Sequence, residues 1–193
     1  ITGDLGTSLA NGGSIADDIR ERAGNTFMLS GITALIAVPL SLLLGLIAST
    51  RPGGIVDRII SSTTLALISV PDFLIAVLLV MFFSVYMGWL PSISSLRGGE
   101  DIFKIVRALT LPVITLVFTV LAHMTRMTRT AVLNVLASPA IEMAFLKGVP
   151  KWRIILLHAL PNAIAPIINV IALNLAYLIS GIVVIETMFN YTG

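Results

Sequence analysis

The chain contains few residues that could carry out catalysis, and their spacing does not form a catalytic set. It has no cysteine and 2 histidines, so neither a thiolate nucleophile nor a disulfide framework is available. His123 and His158 lie far apart and lack Cys, Asp or Glu at ligand spacing, so we predict no metal site. The patterns G-x4-G-K-[ST], H-E-x-x-H and G-x-S-x-G are absent, which excludes ATP binding by a P-loop. We therefore expect no catalytic residue and no enzymatic activity.

Three polar residues within long apolar runs could instead contact a solute. Asp72 follows Pro71 in the run 59–87, and an ionisable residue near the centre of a bilayer costs about 3 kcal/mol. It should therefore face the interior of a helix bundle, where it could line a solute path and meet a cationic amine or a metal. It could equally be a protonated or hydrogen-bonded helix contact. Asn169 and Asn174, in the last apolar run, could line the same path or join helices by hydrogen bonds.

The composition places these residues in a membrane protein. The chain is 56% hydrophobic and 11% charged, whereas soluble domains carry about 25% charged residues. Its net charge of +2 is too small to indicate nucleic-acid binding. The predicted fold class is all-α, a polytopic membrane helix bundle that forms one domain over residues 1–193. Runs with few charges, each long enough to cross a bilayer, predict four spans at residues 27–48, 61–87, 107–125 and 163–186.

The distribution of basic residues predicts the orientation of these spans. The connections 49–58 and 125–160 hold seven of the 12 Lys and Arg residues, a weak bias that favours a cytoplasmic location for both. Residues 1–26 are then expected on the extracytoplasmic side. Tyr86 and Trp89 would lie at the outer membrane interface as aromatic anchors.

The segment 137–161 is basic and amphipathic, unlike the apolar runs on either side of it. Ser138 followed by Pro139 favours the start of a helix, and Gly148 favours its end. The pattern predicts two short helices, 139–147 and 151–160, the second ended by Pro161. Ile141, Ala144 and Phe145 would form the apolar stripe of the first helix. Such helices could lie on lipid headgroups or insert into a groove of another protein, and periodicity does not separate these alternatives.

Five stretches resemble, in order and spacing, the bacterial ABC importer permeases of the dipeptide, oligopeptide and nickel branch. The residues from Glu142 to Pro161 are similar to the EAA loop, E-A-A-x3-G-x9-I-x-L-P, with Met143 and His158 as departures. The other stretches, which extend the resemblance over nearly the whole chain, are GDLGTS at Gly3, RPGGIVDR at Arg51, GWLPS at Gly88 and VVIETMFNYTG at Val183.

This resemblance implies a set of partners and a cellular location. Such permeases usually have six spans, so this fragment would hold four of them, and a second permease subunit completes the path. Two cytoplasmic ABC ATPase subunits, which bind ATP and Mg, dock on the EAA loops, and an extracytoplasmic binding protein delivers the solute. No cofactor is expected in this chain, which would lie in the lipid bilayer of a bacterial inner membrane.

The resemblance also implies an ATPase-coupling role for residues in the segment 137–161. Gly148 would let the chain turn between the helices, and Glu142 would pair with a basic residue of the ATPase, although a solvated surface carboxylate is the alternative. The coupling residues implied are Glu142, Ala144, Phe145, Gly148, Lys151, Arg153 and Pro161.

Two rival classes of protein are weighed against this interpretation. An ion-coupled secondary transporter would use buried carboxylates and often shows inverted repeats, but only Asp72 fits and no repeat is visible. A membrane-embedded enzyme would need the nucleophile or metal set that is missing. The solute itself is left open among dipeptides, oligopeptides, glutathione-like peptides and nickel chelates.

Overall fold

The computed structural model describes residues 6, 7, 12, 14–94 and 101–191, and these are helical apart from turns and one isolated bridge between Thr7 and Ser14. GDLGTS therefore lies largely outside the described residues. The helices in chain order are α1 (Ile15–Thr50), α2 (Ile55–Ile68), α3 (Asp72–Leu79), α4 (Ile102–Leu136), α5 (Pro139–Leu146), α6 (Lys151–Arg153) and α7 (Leu160–Met188). A π-helical segment, Val80–Tyr86, extends α3, and a second, Ile154–Ala159, joins α6 to α7.

Helix α4 is the central element of the bundle, and α1, α2, α3 and α7 all pack against it. Of its most apolar segment 56% is buried within the protein, compared with 28% for α1 and 22% for the helix that includes α7. The remaining apolar surface of α1 and α7 is exposed, as expected of helices that face lipid or another membrane subunit. Residues of α4 thus contribute to each site described below.

The face of α1 that meets α4 consists of small side chains. Its buried residues are Leu29, Ser30, Thr33, Ala37, Ser41, Gly45, Ala48 and Ser49, and most of them recur at intervals of three or four residues. Lipid provides no hydrophobic force between helices, so membrane helices associate where small residues let their backbones approach closely. At Gly45 the approach is close, since a Cβ atom placed there would lie 2.8 Å from Cβ of Thr128.

Hydrogen bonds join the start of α1, the loop before α4 and the end of α7 at one end of the bundle. Thr26 Oγ1 donates to Glu186 Oε1 (2.7 Å), and the backbone N–H of Ser94 donates to the carbonyl of Phe189 (2.8 Å). The Tyr191 hydroxyl donates to the carbonyl of Asn25 (3.2 Å). Burial, and then the charge of Glu186, raise the pKa of Tyr191 to about 12, so this hydroxyl keeps its proton at neutral pH.

The second predicted span is bent sharply, which corrects the expectation of one helix over 61–87. Helices α2 and α3 meet at an angle of 97° around residues 69–71. Pro71 has no N–H to donate, and it disfavours helical geometry in the residue before it. Within the described part of the chain, three helices are long and apolar enough to cross a membrane, and the count reaches four when the bent pair is one span.

Two other boundaries differ from the sequence predictions. Helix α1 already begins at Ile15, so the second half of the segment 1–26 is helical. The predicted end of a helix at Pro161 is wrong, because a continuous helix extends from the π-helical segment Ile154–Ala159 through α7 to Met188. In this segment the hydrogen-bond register is widened, with the N–H of Leu160 donating to the carbonyl of Ile155, and Pro161, which has no N–H to donate, follows directly after it.

We predict that Gly45→Ala destabilises the bundle whereas Gly31→Ala does not. The added methyl group at Gly45 overlaps Thr128, and overpacking of this kind costs about 1–3 kcal/mol. Gly31 lies in the same helix, and a Cβ atom placed there would have nothing within 4 Å, so it controls for helix propensity. Thermal unfolding of the two variants in detergent checks the prediction, and equal midpoints would show that α1 is not closely packed against α4.

Candidate functional site

A cleft of about 590 Å³ lies between α3, α4 and α7, and polar residues lie along it. Asp72, the first residue of α3, is brought here by the bend, and its Oδ1 accepts a hydrogen bond from Thr119 Oγ1 of α4 (3.1 Å). His123 of α4 and Tyr177 of α7 also line the cleft, with Leu116, Val120, Leu173 and Leu178 as apolar walls. Among the described residues that line it, Asp72 is the one carboxylate, and neither Lys nor Arg is present.

The two asparagines predicted for the solute path occupy different faces of α7. Asn174 is buried and lines the cleft, with Nδ2 donating to the carbonyl of Val170 (2.8 Å) and lying 3.7 Å from the sulfur of Met127. Asn169 is exposed and does not reach the cleft. The structure therefore brings Asp72 and Asn174 to one site and leaves Asn169 outside it.

The segment 137–161 forms a turn of two helical elements at the opposite end from Ser94. Gly148, between α5 and α6, has φ of +77°, a conformation that glycine adopts without the steric cost of a Cβ atom. The predicted turn at Gly148 is confirmed, and its geometry is left-handed. Ser138 is the N-cap of α5, but its side chain makes no capping hydrogen bond.

The predicted apolar stripe on α5 is divided between an inner and an outer face. Ile141 is 2% exposed and packs with Ile154 and Ala159, with Ala144 partly buried against this cluster. The expectation that Ile141 would be free for a partner is therefore wrong, because the chain covers it with its own next helix. Phe145, by contrast, is exposed.

Several large apolar side chains of this turn are exposed, and together we call them the hairpin surface. Its apolar members are Met143, Phe145, Leu146, Trp152, Leu156 and Leu157. Glu142 is exposed beside it, as are Pro161 and Arg153, and the Arg153 guanidinium lies 5.5 Å from the centre of the Trp152 ring. The Lys151 side chain lies outside the described residues.

A buried ion pair at the same end of the bundle was not predicted from the sequence. Asp57, 4% exposed at the start of α2, accepts two hydrogen bonds from Arg129 of α4, at 2.6 and 2.8 Å. The carboxylate also accepts from the backbone N–H of Gly53 (2.7 Å) and from Ser61 Oγ (3.2 Å). The stretch RPGGIVDR contains this aspartate, but its partner lies 72 residues further along the chain, beyond the reach of a local pattern.

Comparison with known proteins gives one family and several relatives. Residues 41–193 match the family described as binding-protein-dependent transport system inner membrane component. Over its whole length the chain is 33% identical to the probable peptide ABC transporter permease protein y4tP of Sinorhizobium fredii and 32% identical to the oligopeptide transport system permease protein AppB of Bacillus subtilis, covering 62% of each. It is 32% identical to the glutathione transport system permease protein GsiC of Escherichia coli K12, covering 60% of that protein.

A solved structure has the same fold. A chain of the MetNI methionine ABC transporter, in an inward-facing conformation, superposes with a TM-score of 0.62 at 22% identity, over 93% of this chain and 76% of the other. Of the length of the curated relatives named above, the chain spans about three-fifths.

We predict that Arg129→Gln destabilises the protein by about 3–5 kcal/mol, the cost of leaving a buried charge without its partner. The double variant Asp57→Asn/Arg129→Gln should recover much of this loss because it removes the stranded carboxylate. Arg58→Gln, at an exposed arginine next in sequence to Asp57, is the control. Thermal unfolding of wild type, the single variants Asp57→Asn and Arg129→Gln, the double variant and the control checks this, and additive effects of the two single substitutions would mean that the pair contributes no coupling energy.

Proposed function

The chain belongs to the family of binding-protein-dependent transport system inner membrane components, and from this membership we propose that it is a permease subunit of an ATP-driven importer. Its helices make it a multi-pass membrane protein. The proposed subunit contributes half of a translocation path, carries no catalytic residue itself, and couples to an ATPase through the segment 137–161. Family membership favours this function over that of an ion-coupled secondary transporter.

One structural observation carries the proposal, namely that a single helical rod connects the hairpin surface to the cleft. The rod starts at α6, continues through the π-helical segment Ile154–Ala159, and provides Asn174 and Tyr177 of the cleft wall. At 1.5 Å per residue, Lys151 and Asn174 are about 35 Å apart along it. A rigid displacement of the hairpin would therefore move one wall of the cleft, as in rocking between inward-open and outward-open states.

The hairpin surface is proposed as the docking site of a cytoplasmic ABC ATPase subunit. Exposed large apolar side chains such as Phe145 and Trp152 suit a helix-in-groove contact, and each square ångström of their apolar area that is removed from water contributes about 25 cal/mol. Glu142 is placed to pair with a basic residue of the ATPase, and Gly148 holds the turn. Ala144 supports the turn and does not itself contact the ATPase in this proposal, since it packs inward against the cluster of Ile141.

The remaining partners and the orientation follow from this docking. Two ATPase subunits, which bind ATP and Mg, would engage this chain and a second permease subunit. The end of the bundle with the hairpin and Arg129 would lie in the cytoplasm, and the end with Ser94 and Tyr191 would face an extracytoplasmic binding protein. The location that fits is the inner membrane of a bacterium.

Asp72 is proposed to contact the cationic end of the solute in the cleft. Its carboxylate has no Lys or Arg beside it among the described lining residues, and an ionisable residue within a membrane span favours a neutralising charge. The free amino group of a peptide provides one. Peptides or similar small solutes are the class proposed, with Asn174 as a further contact and Asn169 outside the cleft.

We predict that Gly148→Asp abolishes uptake and uncouples ATP hydrolysis from solute delivery while the spans stay inserted. A non-glycine residue in left-handed geometry costs about 1–2 kcal/mol, and the carboxylate would lie at the docking surface. Gly88→Asp is the matched control, because Gly88 has φ of +64° and a Cβ atom placed there would also have nothing within 4 Å, but it lies at the opposite end. The measurements are uptake, ATPase rate and co-purification of the ATPase with the full-length chain.

Two outcomes would contradict this coupling role. Normal uptake by Gly148→Asp with equal recovery of the ATPase would make the hairpin a membrane-surface anchor. An equal loss of co-purified ATPase in Gly148→Asp and Gly88→Asp would trace the effect to backbone strain rather than to docking.

For the cleft, Asp72→Asn should lower uptake of a solute with a free amino group by roughly tenfold, since a hydrogen bond to a charged group is worth about 1.5–3 kcal/mol. Assembly with the ATPase should be unchanged. Asp101→Asn, at the exposed N-cap of α4, is the control. Comparing each variant on a peptide and on its N-acetylated form isolates the charge, and an equal effect on both would exclude the proposed contact.

A further inference from the structure

A second groove, separate from the cleft, lies between α2 and α4 near the ion pair of Asp57 and Arg129. It has a volume of about 370 Å³. Helix α2 contributes Ser61 and Leu65 to it, and α4 contributes Arg126, Arg129 and Thr130. The proposed transport function gives this groove no role.

The two arginines of the groove differ in how their charge is satisfied. Arg129 is neutralised by the bidentate contact with Asp57. Arg126 lies one helical turn away on the same side of α4, is exposed, and has no ion pair or side-chain hydrogen bond among the described residues. The groove therefore has an uncompensated positive charge next to apolar surface.

The polar and apolar residues of the groove follow the same order as the headgroup and acyl chains of a lipid molecule. Toward the end of the bundle that holds the hairpin lie Ser61, Arg129 and Thr130, and further into the bundle α2 presents Leu65, which is 51% exposed. Thr125, also in the wall, has a buried hydroxyl without a hydrogen-bond partner among the described residues. A phospholipid placed here would direct its phosphate to the arginine level and one acyl chain along Leu65.

We propose that the groove between α2 and α4 binds an anionic phospholipid, with Arg126 as the principal contact of its phosphate. Basic pockets between membrane helices are suited to anionic headgroups on the cytoplasmic side, and the planar guanidinium fits phosphate oxygens in pairs. Lipid binding here requires that α2 and α4 lie in a membrane; it rests on the proposed function for placing this end of the bundle on the cytoplasmic side and does not depend on the solute.

The test uses the full-length chain in its assembled complex, titrated with phosphatidylglycerol or phosphatidylethanolamine in detergent and analysed by native mass spectrometry. Arg126→Gln should weaken phosphatidylglycerol binding about fivefold, since a basic residue near an anionic surface is worth about 1 kcal/mol. Arg58→Gln should leave this binding unchanged, because Arg58 is an exposed arginine at the same end that does not line the groove. Arg126→Lys should retain part of the affinity.

Three results would overturn the proposal. Equal phosphatidylglycerol binding by wild type and Arg126→Gln would remove the arginine from any lipid site. Displacement of the lipid by inorganic phosphate would make a free anion the ligand. Loss of a protein subunit from Arg126→Gln, with lipid binding unchanged, would identify the groove as a protein contact.

Discussion

The close approach of α1 to α4 is the constraint on which the rest of the structure depends. At Gly45 the two helices are so near that a Cβ atom would overlap Thr128, and a row of small residues keeps α1 close along its length. Because lipid gives no hydrophobic driving force, such packing has to come from shape. It fixes α4 as the element around which α2, α3 and α7 are arranged, and so it sets where Thr119, Arg126 and Arg129 can act.

The break between α2 and α3 is what makes the cleft possible. A straight helix would continue in the direction of α2 through Asp72. The 97° bend instead begins a new helix at this residue. Irregular backbone at membrane depth is tolerated where it borders a cavity rather than lipid, and here it borders the space lined by Thr119 and Asn174. The ion pair of Asp57 and Arg129 holds the start of α2 to α4, and the contact of Asp72 with Thr119 holds the chain to α4 again at the bend.

The segment 137–161 has an inner face that packs against the chain and an outer face that is exposed. Ile141, Ile154 and Ala159 pack inward and make the turn a rigid body, while Phe145 and Trp152 stay exposed on its outer face. Since the second half of the turn continues directly into α7, a force on the outer face would, in the proposed function, be transmitted along a helix instead of being lost in a loop. A helix ended at Pro161 would lack this connection.

The sequence by itself determined the all-α class, the apolar runs that become the helices and the turn at Gly148. It also showed that an ionisable residue, Asp72, lies within an apolar run. These depend on run length, charge and local backbone preference, which act over a few residues. Only the tertiary structure decided that Asn174 lines the cleft while Asn169 does not, that Ile141 is covered by the chain itself, and that Asp57 meets Arg129. Each of these depends on how one helix is rotated or placed against another, and that is set by packing between residues far apart in the chain.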